Sequence, residues 1–253
     1  MGTMAAAHGS SSFEGKRVLV TGAAGGLGRA FVRAFAEAGA TVLLADLDRE
    51  GMARAAAELA PGAGCFAYDQ GDLALVEALA REAGPVDVLV NNAGILLVKP
   101  ILDTEPEEMA RLLRVNLLGP MALARAVAAG MATRGGGGVV LNMSSQLAFC
   151  GAEGRAAYAA AKAGLTQFTK SAAVEWAPKG VRVVGIAPGR IMTSMTTFLR
   201  GDAATQAAGI ARVPVGRYGT PEEIAGLVQF LCSPAADYVV GETLLADGGY
   251  VLG

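Results

Sequence analysis

Short apolar runs recur along the chain, and each is followed by a longer stretch in which Ala and Leu return at helical spacing among charged residues. The pattern predicts strands at Arg17–Thr21, Ala40–Ala45, Cys65–Tyr68, Val86–Val90, Gly138–Met143, Val181–Ile186 and near Thr243–Leu245. It predicts helices at Leu27–Ala38, Arg49–Leu59, near Leu73–Ala83, roughly Pro106–Ala132, Arg155–Trp176 and Pro221–Leu231. The strand runs are continuously apolar rather than alternating, as expected of strands covered on both faces. Strand–helix alternation implies βαβ units with right-handed crossovers, hence an α/β doubly wound parallel sheet with helices on both faces. Thr220 ahead of Pro221-Glu222-Glu223, and Thr104 ahead of Glu105-Pro106-Glu107, read as capping boxes. Residues 1–13 read as a disordered leader rich in small residues, and 14–253 as one domain.

Composition narrows the chemistry. Hydrophobic residues make up 53% of the 253-residue chain and net charge is only −2, which excludes intrinsic disorder. With 21 Lys and Arg against 23 Asp and Glu, no basic excess points to nucleic acid. The apolar stretch Leu117–Ala132 is broken by Gly119, Pro120 and Arg125, so no membrane span is expected; a cytoplasmic protein is. Three scattered cysteines, Cys65, Cys150 and Cys232, suit neither a disulfide framework nor a zinc site and read as small buried hydrophobes. The single histidine, His8, lies in the leader. No metal site and no Ser-His-Asp triad is therefore expected, and acid–base work must fall to another side chain.

The first strand runs into Thr21-Gly22-Ala23-Ala24-Gly25-Gly26-Leu27-Gly28, which opens a helix. Glycines here permit a tight turn and a close approach to a pyrophosphate, which the free N–H groups of the helix start would bind. Gly22, Gly26, Leu27 and Gly28 are the candidates for that role. Asp46, 18 residues beyond Gly28 at the end of the second strand, has the place of an acid that accepts the adenosine ribose hydroxyls. Its charge would repel a 2′-phosphate, and neither Gly25 nor Leu47 supplies a cation for one. Arg49 lies close by, which leaves room for NADP(H), but NAD(H) is the expected cofactor.

Tyr158 and Lys162 stand at i and i+4 on one helix face, among Ala and Gly. A nearby ammonium favours the phenolate and would lower the Tyr158 pKa toward working pH. Ser144 and Ser145 end the fifth strand, Asn91-Asn92-Ala93-Gly94 end the fourth, and Asn116 lies in the helix that follows it. With Pro188-Gly189, the tail Gly216–Ile224 and Asp247-Gly248-Gly249, these motifs stand in the order and spacing of a short-chain dehydrogenase/reductase, which the chain resembles from Glu14 to Gly253.

The resemblance implies a single-domain Rossmann-like sheet of about seven strands. It implies that Tyr158 is the general acid/base, that Ser145 holds the reacting oxygen, and that Lys162 tunes Tyr158 and binds the nicotinamide ribose. Asn116 would hold a water that relays the proton. Asp69, with Gln70 beside it, would contact the adenine. Asp46 and Leu47 would meet the ribose, and Asn92, Ala93 and Gly94 would pass alongside it. Pro188, Gly189, Ile191 and Thr193 would hold the nicotinamide end, and Asn91 would link strands. A homotetramer, or a dimer, is implied as well. The implied reaction is hydride exchange between the nicotinamide cofactor and a small-molecule secondary alcohol or ketone.

Substrate choice is less constrained. Ser145, Gln146, Cys150, Tyr158 and Met195 are the expected substrate contacts, with Ile95, Leu96 and Phe149 near them. The segment Arg190–Arg212 carries Met192, Met195, Phe198 and Leu199, favouring a moderately hydrophobic substrate over a bare polyol, while Arg190, Gln146 or Glu153 could bind a polar tail. One alternative is an NADPH-dependent 3-oxoacyl-carrier-protein reductase. Another is a nicotinamide-binding sensor or scaffold without turnover, against which the complete Asn–Ser–Tyr–Lys set argues.

Overall fold

The structure is a computed structural model and describes residues 13–193 and 203–252, with the backbone alone at 203–206. Seven parallel strands form one sheet: β1 (Arg17–Thr21), β2 (Thr41–Asp46), β3 (Gly64–Ala67), β4 (Val88–Asn91), β5 (Gly138–Met143), β6 (Val181–Pro188) and β7 (Thr243–Ala246). Their order is β3-β2-β1-β4-β5-β6-β7, so the winding reverses between β1 and β4. The helices are α1 (Gly26–Glu37), α2 (Arg49–Leu59), α3 (Leu73–Glu82), α4 (Pro106–Leu113), α5 (Gly119–Arg134), α6 (Ala156–Trp176), α7 (Ala203–Ala211) and α8 (Pro221–Cys232).

Both sheet faces are apolar because neighbouring residues of each strand point to opposite sides. Val18, Val20, Val42, Leu44, Val90 and Leu141 meet α1, α2 and α8 through Phe31, Phe35, Met52 and Val228. Leu19, Leu43, Leu89, Val140 and Val183 meet α3, α5 and α6 through Val76, Leu79, Leu123, Met131 and Ala172. These are the continuous apolar runs of the sequence, now divided between two cores. Every strand runs the same way, so the carboxyl ends of β1, β2, β4, β5 and β6 open on one edge, where the reversal leaves a crevice.

Several expectations need correction. Phe13, assigned to the leader, is 3% exposed and packs edge-on to Phe35 at 4.9 Å. Its apolar ring is worth more in the core than in water, so Phe13 belongs to the folded body. The cap of α4 is Glu105, whose N–H donates to Glu108; Thr104 instead donates its hydroxyl to the Pro100 carbonyl. Cys65 is exposed on edge strand β3 and Cys150 is half-buried, so only Cys232 is a buried hydrophobe. Helix α7 had no counterpart in the sequence reading.

The long helix expected over Pro106–Ala132 is broken by a π turn, Arg114–Leu118, for a reason visible in the sequence. Pro120 has no N–H to offer the Val115 or Asn116 carbonyl. The Gly119 N–H donates to Arg114, and Gln70 Nε2 reaches across to take the Val115 carbonyl at 2.7 Å. The run Pro106–Arg134 is long and apolar enough to cross a membrane by length and composition, but half of its apolar window is buried inside this fold.

Candidate active site

A cleft of about 970 Å³ lies along the carboxyl edge of the sheet. Its floor is the β1–α1 loop. Gly22 adopts φ +66°, which an L side chain rarely tolerates, and a Cβ on Gly28 would stand 1.9 Å from the Gly22 carbonyl oxygen. The loop can close only with glycine at these places. Helix α1 has Gly25 as its N-cap residue, with no side-chain cap and no acid in its first turn, and Gly25, Gly26, Leu27 and Gly28 line the cleft, so its N–H groups and positive dipole end face it. The residues here suit a dinucleotide's pyrophosphate.

Asp46 ends β2 at the cleft wall. Its Oδ2 accepts from the Ala24 N–H and its Oδ1 from the Asp48 N–H, both at 2.9 Å. The carboxylate thus braces the glycine loop and is fixed in orientation. Each oxygen keeps a lone pair for another donor. Leu47, 70% exposed, lines the same wall without charge. Asp69 lines it too, its Oδ1 accepting from the Gly71 N–H. Leu27, Ala93, Gly94, Pro188, Gly189, Ile191 and Thr193 also line the cleft, as expected.

Asn92 and Gln70 line the cleft as expected and also act as braces, whereas Asn116 does not line it. The Asn92 amide donates to the Thr21 and Gly22 carbonyls, while Thr21 Oγ1 accepts from the Asn92 and Ala93 N–H groups at 3.0 Å. Gln70 is buried, donating to Ala93 and Val115 and accepting from the Tyr68 hydroxyl. Both side chains knit β1, β4 and the π turn together, because a buried amide must satisfy its own hydrogen bonds. Asn116, 0% exposed, is clamped to Ile95 in both directions, accepting from its N–H at 2.8 Å and donating to its carbonyl at 2.7 Å. One N–H and one lone pair of its amide are thus committed to Ile95. Asn91 does link strands, donating to Asn142 on β5 and to the Pro120 carbonyl.

Ser145, Tyr158 and Lys162 meet at the far end of the cleft. Ser145 caps the turn that follows β5, its Oγ accepting from the Leu147 N–H. Helix α6 is seated on β5 by Ser144, whose hydroxyl pairs with Thr166 at 2.6 Å and donates to the Lys162 carbonyl. Lys162 is buried; its Nζ donates to the Met143 carbonyl at 2.8 Å and lies 5.8 Å from the Tyr158 ring centre. Burial pulls the Lys162 ammonium down to about 8. The expected lowering of Tyr158 is not what this arrangement gives. Burial pushes its phenol upward, a hydrogen bond to Ser145 and the charge of Arg155 work the other way, and burial dominates.

The substrate side is partly as expected. Gln146 is buried rather than presented to the cleft, with its Oε1 close to Gly189 and without a hydrogen-bond donor among the described residues. Cys150 turns back to the Gln146 carbonyl at 3.5 Å. Met195 lies outside the described residues, as do Phe198 and Leu199. The sequence reading missed Glu107, Ala110, Arg111 and Arg114, which line the cleft from α4 and the π turn. Their i, i+3, i+4, i+7 spacing was the available signal. No cluster of potential metal ligands occurs among the described residues.

Comparison with known proteins agrees with this geometry. A family model described as Enoyl-(Acyl carrier protein) reductase matches residues 22–251. A 3-oxoacyl-[acyl-carrier-protein] reductase of Vibrio harveyi is 40% identical over 242 residues, covering 94% of this chain and 98% of its own. A crystal structure from Beutenbergia cavernae, assigned as an NAD(P)-dependent gluconate 5-dehydrogenase with NADP bound at low occupancy, superposes with a TM-score of 0.92 at 38% identity. It covers 97% of this chain and 100% of its own. The 3-ketoacyl-(acyl-carrier-protein) reductase of Brucella melitensis, complexed with NADH, superposes at 0.88 with 36% identity, covering 95% and 100%.

Proposed function

The chain belongs to the short-chain dehydrogenase/reductase family of oxidoreductases acting on alcohols and ketones, and on that premise we propose that it is NAD(H)-dependent, with Tyr158 as its general acid/base. The observation that carries this reading is the meeting of Ser145, Tyr158 and Lys162 at one end of the cleft whose other end is the glycine loop. The nicotinamide cofactor supplies the hydride chemistry when bound. Ser145 holds the substrate oxygen by its hydroxyl. Tyr158 takes the alcohol proton, or gives it to the carbonyl in reduction. Lys162 keeps its positive charge beside the ring, which favours the phenolate against the burial that opposes it.

The proton then leaves through main chain rather than through the Asn116 amide. The Asn116 carbonyl, which Pro120 cannot cap in the α-helical pattern, is the acceptor we assign to the relay water. The preference for NAD(H) rests on Asp46, whose fixed carboxylate suits ribose hydroxyls and repels a 2′-phosphate. The similarity to 3-oxoacyl-carrier-protein reductases favours a second reading, NADPH-dependent reduction of a carrier-bound 3-oxoacyl thioester. Family membership and the exposed apolar side chains of Leu118 and Val174 support a homotetramer or dimer; sedimentation as a monomer would overturn that.

The test follows nicotinamide absorbance with NAD+ and NADP+ against a panel of secondary alcohols, hydroxy acids and a 3-hydroxyacyl thioester. Turnover with NAD+ is expected to fall at least about a hundredfold in Tyr158→Phe, while NADH binding persists. Full activity in that variant would sink the assignment of Tyr158. A clear preference for NADP+ with the thioester would establish the second reading instead.

A further inference from the structure

Three consecutive residues at the end of β5 are each bonded to α6. Asn142 Nδ2 donates to Thr169 Oγ1 at 3.0 Å, and the Met143 carbonyl accepts from Lys162 Nζ at 2.8 Å. Ser144 Oγ meets Thr166 Oγ1 at 2.6 Å and the Lys162 carbonyl at 3.2 Å. The side chains of Asn142, Ser144, Lys162, Thr166 and Thr169 are all buried. The strand end is itself fixed, since the Ser144 N–H donates to the Ile186 carbonyl on β6 at 2.7 Å. Ser145 is the next residue, and Tyr158 stands one helical turn before Lys162. The proposed reaction uses Ser145, Tyr158 and Lys162 but assigns nothing to Ser144 or Thr166.

The hydrogens available give the pair a direction. The one hydroxyl hydrogen of Ser144 goes to the Lys162 carbonyl, so Thr166 is the donor to Ser144. A helical threonine can donate to the carbonyl four residues back, as Thr169 does to Leu165 at 2.9 Å. For Thr166 that carbonyl belongs to Lys162, and Ser144 stands between the two. Lys162 is thereby held at both ends, its carbonyl by Ser144 and its Nζ by Met143. A lysine stem is flexible and carries much rotamer entropy. Tied at both ends to neighbouring residues of one strand, it keeps its Nζ 5.8 Å from the Tyr158 ring centre.

Stability alone does not call for such a pair. Apolar groups of the same shape in place of two mutually bonded buried hydroxyls are often nearly neutral. Hydrogen bonds add direction, and a satisfied buried network specifies one arrangement of the elements it joins. We propose that Ser144 and Thr166 are positioning residues for the reaction: they set α6 against β5 so that Lys162 stays beside Tyr158 and both face Ser145. The proposal rests on the reading of Tyr158 and Lys162 given above. Around Lys162 Nζ the other elements present the Met143 carbonyl from β5, Gly94 from the loop after β4 and the Asn116 amide from the π turn, all neutral. On α6 itself Tyr158 is the titratable neighbour, and Arg155, the residue before the helix, adds its charge at Tyr158.

The experiment follows Lys162 directly and needs no substrate. Protein isotope-labelled at lysine Cε is titrated by NMR, with Lys162→Met identifying the Lys162 signal. Ser144→Ala and Thr166→Val each remove one hydroxyl, and Lys162 is then free to swing toward the water of the cleft. In both, its midpoint is expected to rise by at least about half a unit toward that of a free lysine. Thr166→Ser keeps the hydroxyl and should hold the wild-type midpoint. So should Thr133→Val, whose exposed hydroxyl bonds only the Ala129 carbonyl on α5. Urea denaturation and NADH affinity report that each variant has folded; if one of the two hydroxyl-free variants does not fold, the other decides.

A smaller rise, no change or a fall in either folded variant overturns the proposal, as does a rise that Thr166→Ser shares. Lowered stability with an unmoved midpoint would mark the pair as merely structural. The same samples are assayed for turnover with NAD+ and the alcohol panel, where kcat should fall about tenfold or more while the KM for NAD+ stays within about twofold. An unchanged kcat beside a shifted midpoint also overturns the proposal. The two readings fail separately. A shifted midpoint in a protein whose Tyr158→Phe variant is fully active keeps the clamp on Lys162 and removes Tyr158 as acid/base; an unmoved midpoint with Tyr158-dependent turnover does the reverse.

Discussion

Lys162 shows how one side chain acts on both stability and chemistry. Its Nζ is sealed against the Met143 carbonyl, and burial brings it down to about 8, whereas a lysine of the unfolded chain titrates near 10.4. Between those values the unfolded state holds the proton and the folded state does not. Stability from this group therefore rises as pH rises from about 8 toward 10. Wild type should gain on Lys162→Met by on the order of 2 kcal/mol between pH 7 and pH 10 in urea titrations. A constant difference would show that Lys162 titrates normally. Tyr158 and Lys162 were legible as a pair from their spacing alone. The rise of the Tyr158 pKa was not, because it depends on how much water the finished fold leaves around the ring.

At the scale of elements, the π turn is the clearest case of sequence and structure speaking together. Pro120 withholds a donor, the helix widens by one residue, and Asn116 turns inward to hold Ile95 with two hydrogen bonds. Asn116→Ala leaves the Ile95 N–H and carbonyl buried without partners, and should cost on the order of 2–4 kcal/mol in chemical denaturation. If Asn116 only held a water, the loss would be far smaller. Strand and helix boundaries were largely legible: the Arg17–Thr21, Arg49–Leu59 and Gly138–Met143 spans agree to the residue. The π turn was missed because its pattern of apolar residues is that of an ordinary helix. The capping choice between Thr104 and Glu105 also could not be read, since either residue type can cap.

At the scale of the molecule, the cofactor joins parts of the chain that are far apart in sequence. The cleft brings Gly22, Asp46, Asp69, Asn92, Tyr158 and Pro188 to one edge. A ligand that binds there only in the folded state stabilises the whole chain, by about 2.7 kcal/mol at a hundredfold excess over its Kd. NADH is expected to raise the melting temperature by roughly 5–10 °C under those conditions. NADPH at the same concentration should raise it less, and Asp46→Ser should narrow the gap. An equal or larger shift with NADPH would count against NAD(H) preference. Distant ties of this kind also close the fold: buried Arg182 on β6 donates to the Leu231 and Ser233 carbonyls, fixing the end of α8.

The sequence by itself determined the doubly wound sheet and the glycine loop and set Tyr158 beside Lys162, because each is written locally: continuous apolar runs in the strands, i to i+4 on a helix, glycines where a loop must close. Which of the polar residues near the site face the cleft, and which are consumed as braces, was decided only by the tertiary structure. Asn92 and Gln70 line the cleft and yet their amides, like that of Asn116, also answer backbone groups 21 to 71 residues away. Burial sets the demand for hydrogen bonds and the cost of charge, and burial is a property of the assembled chain rather than of any segment of it.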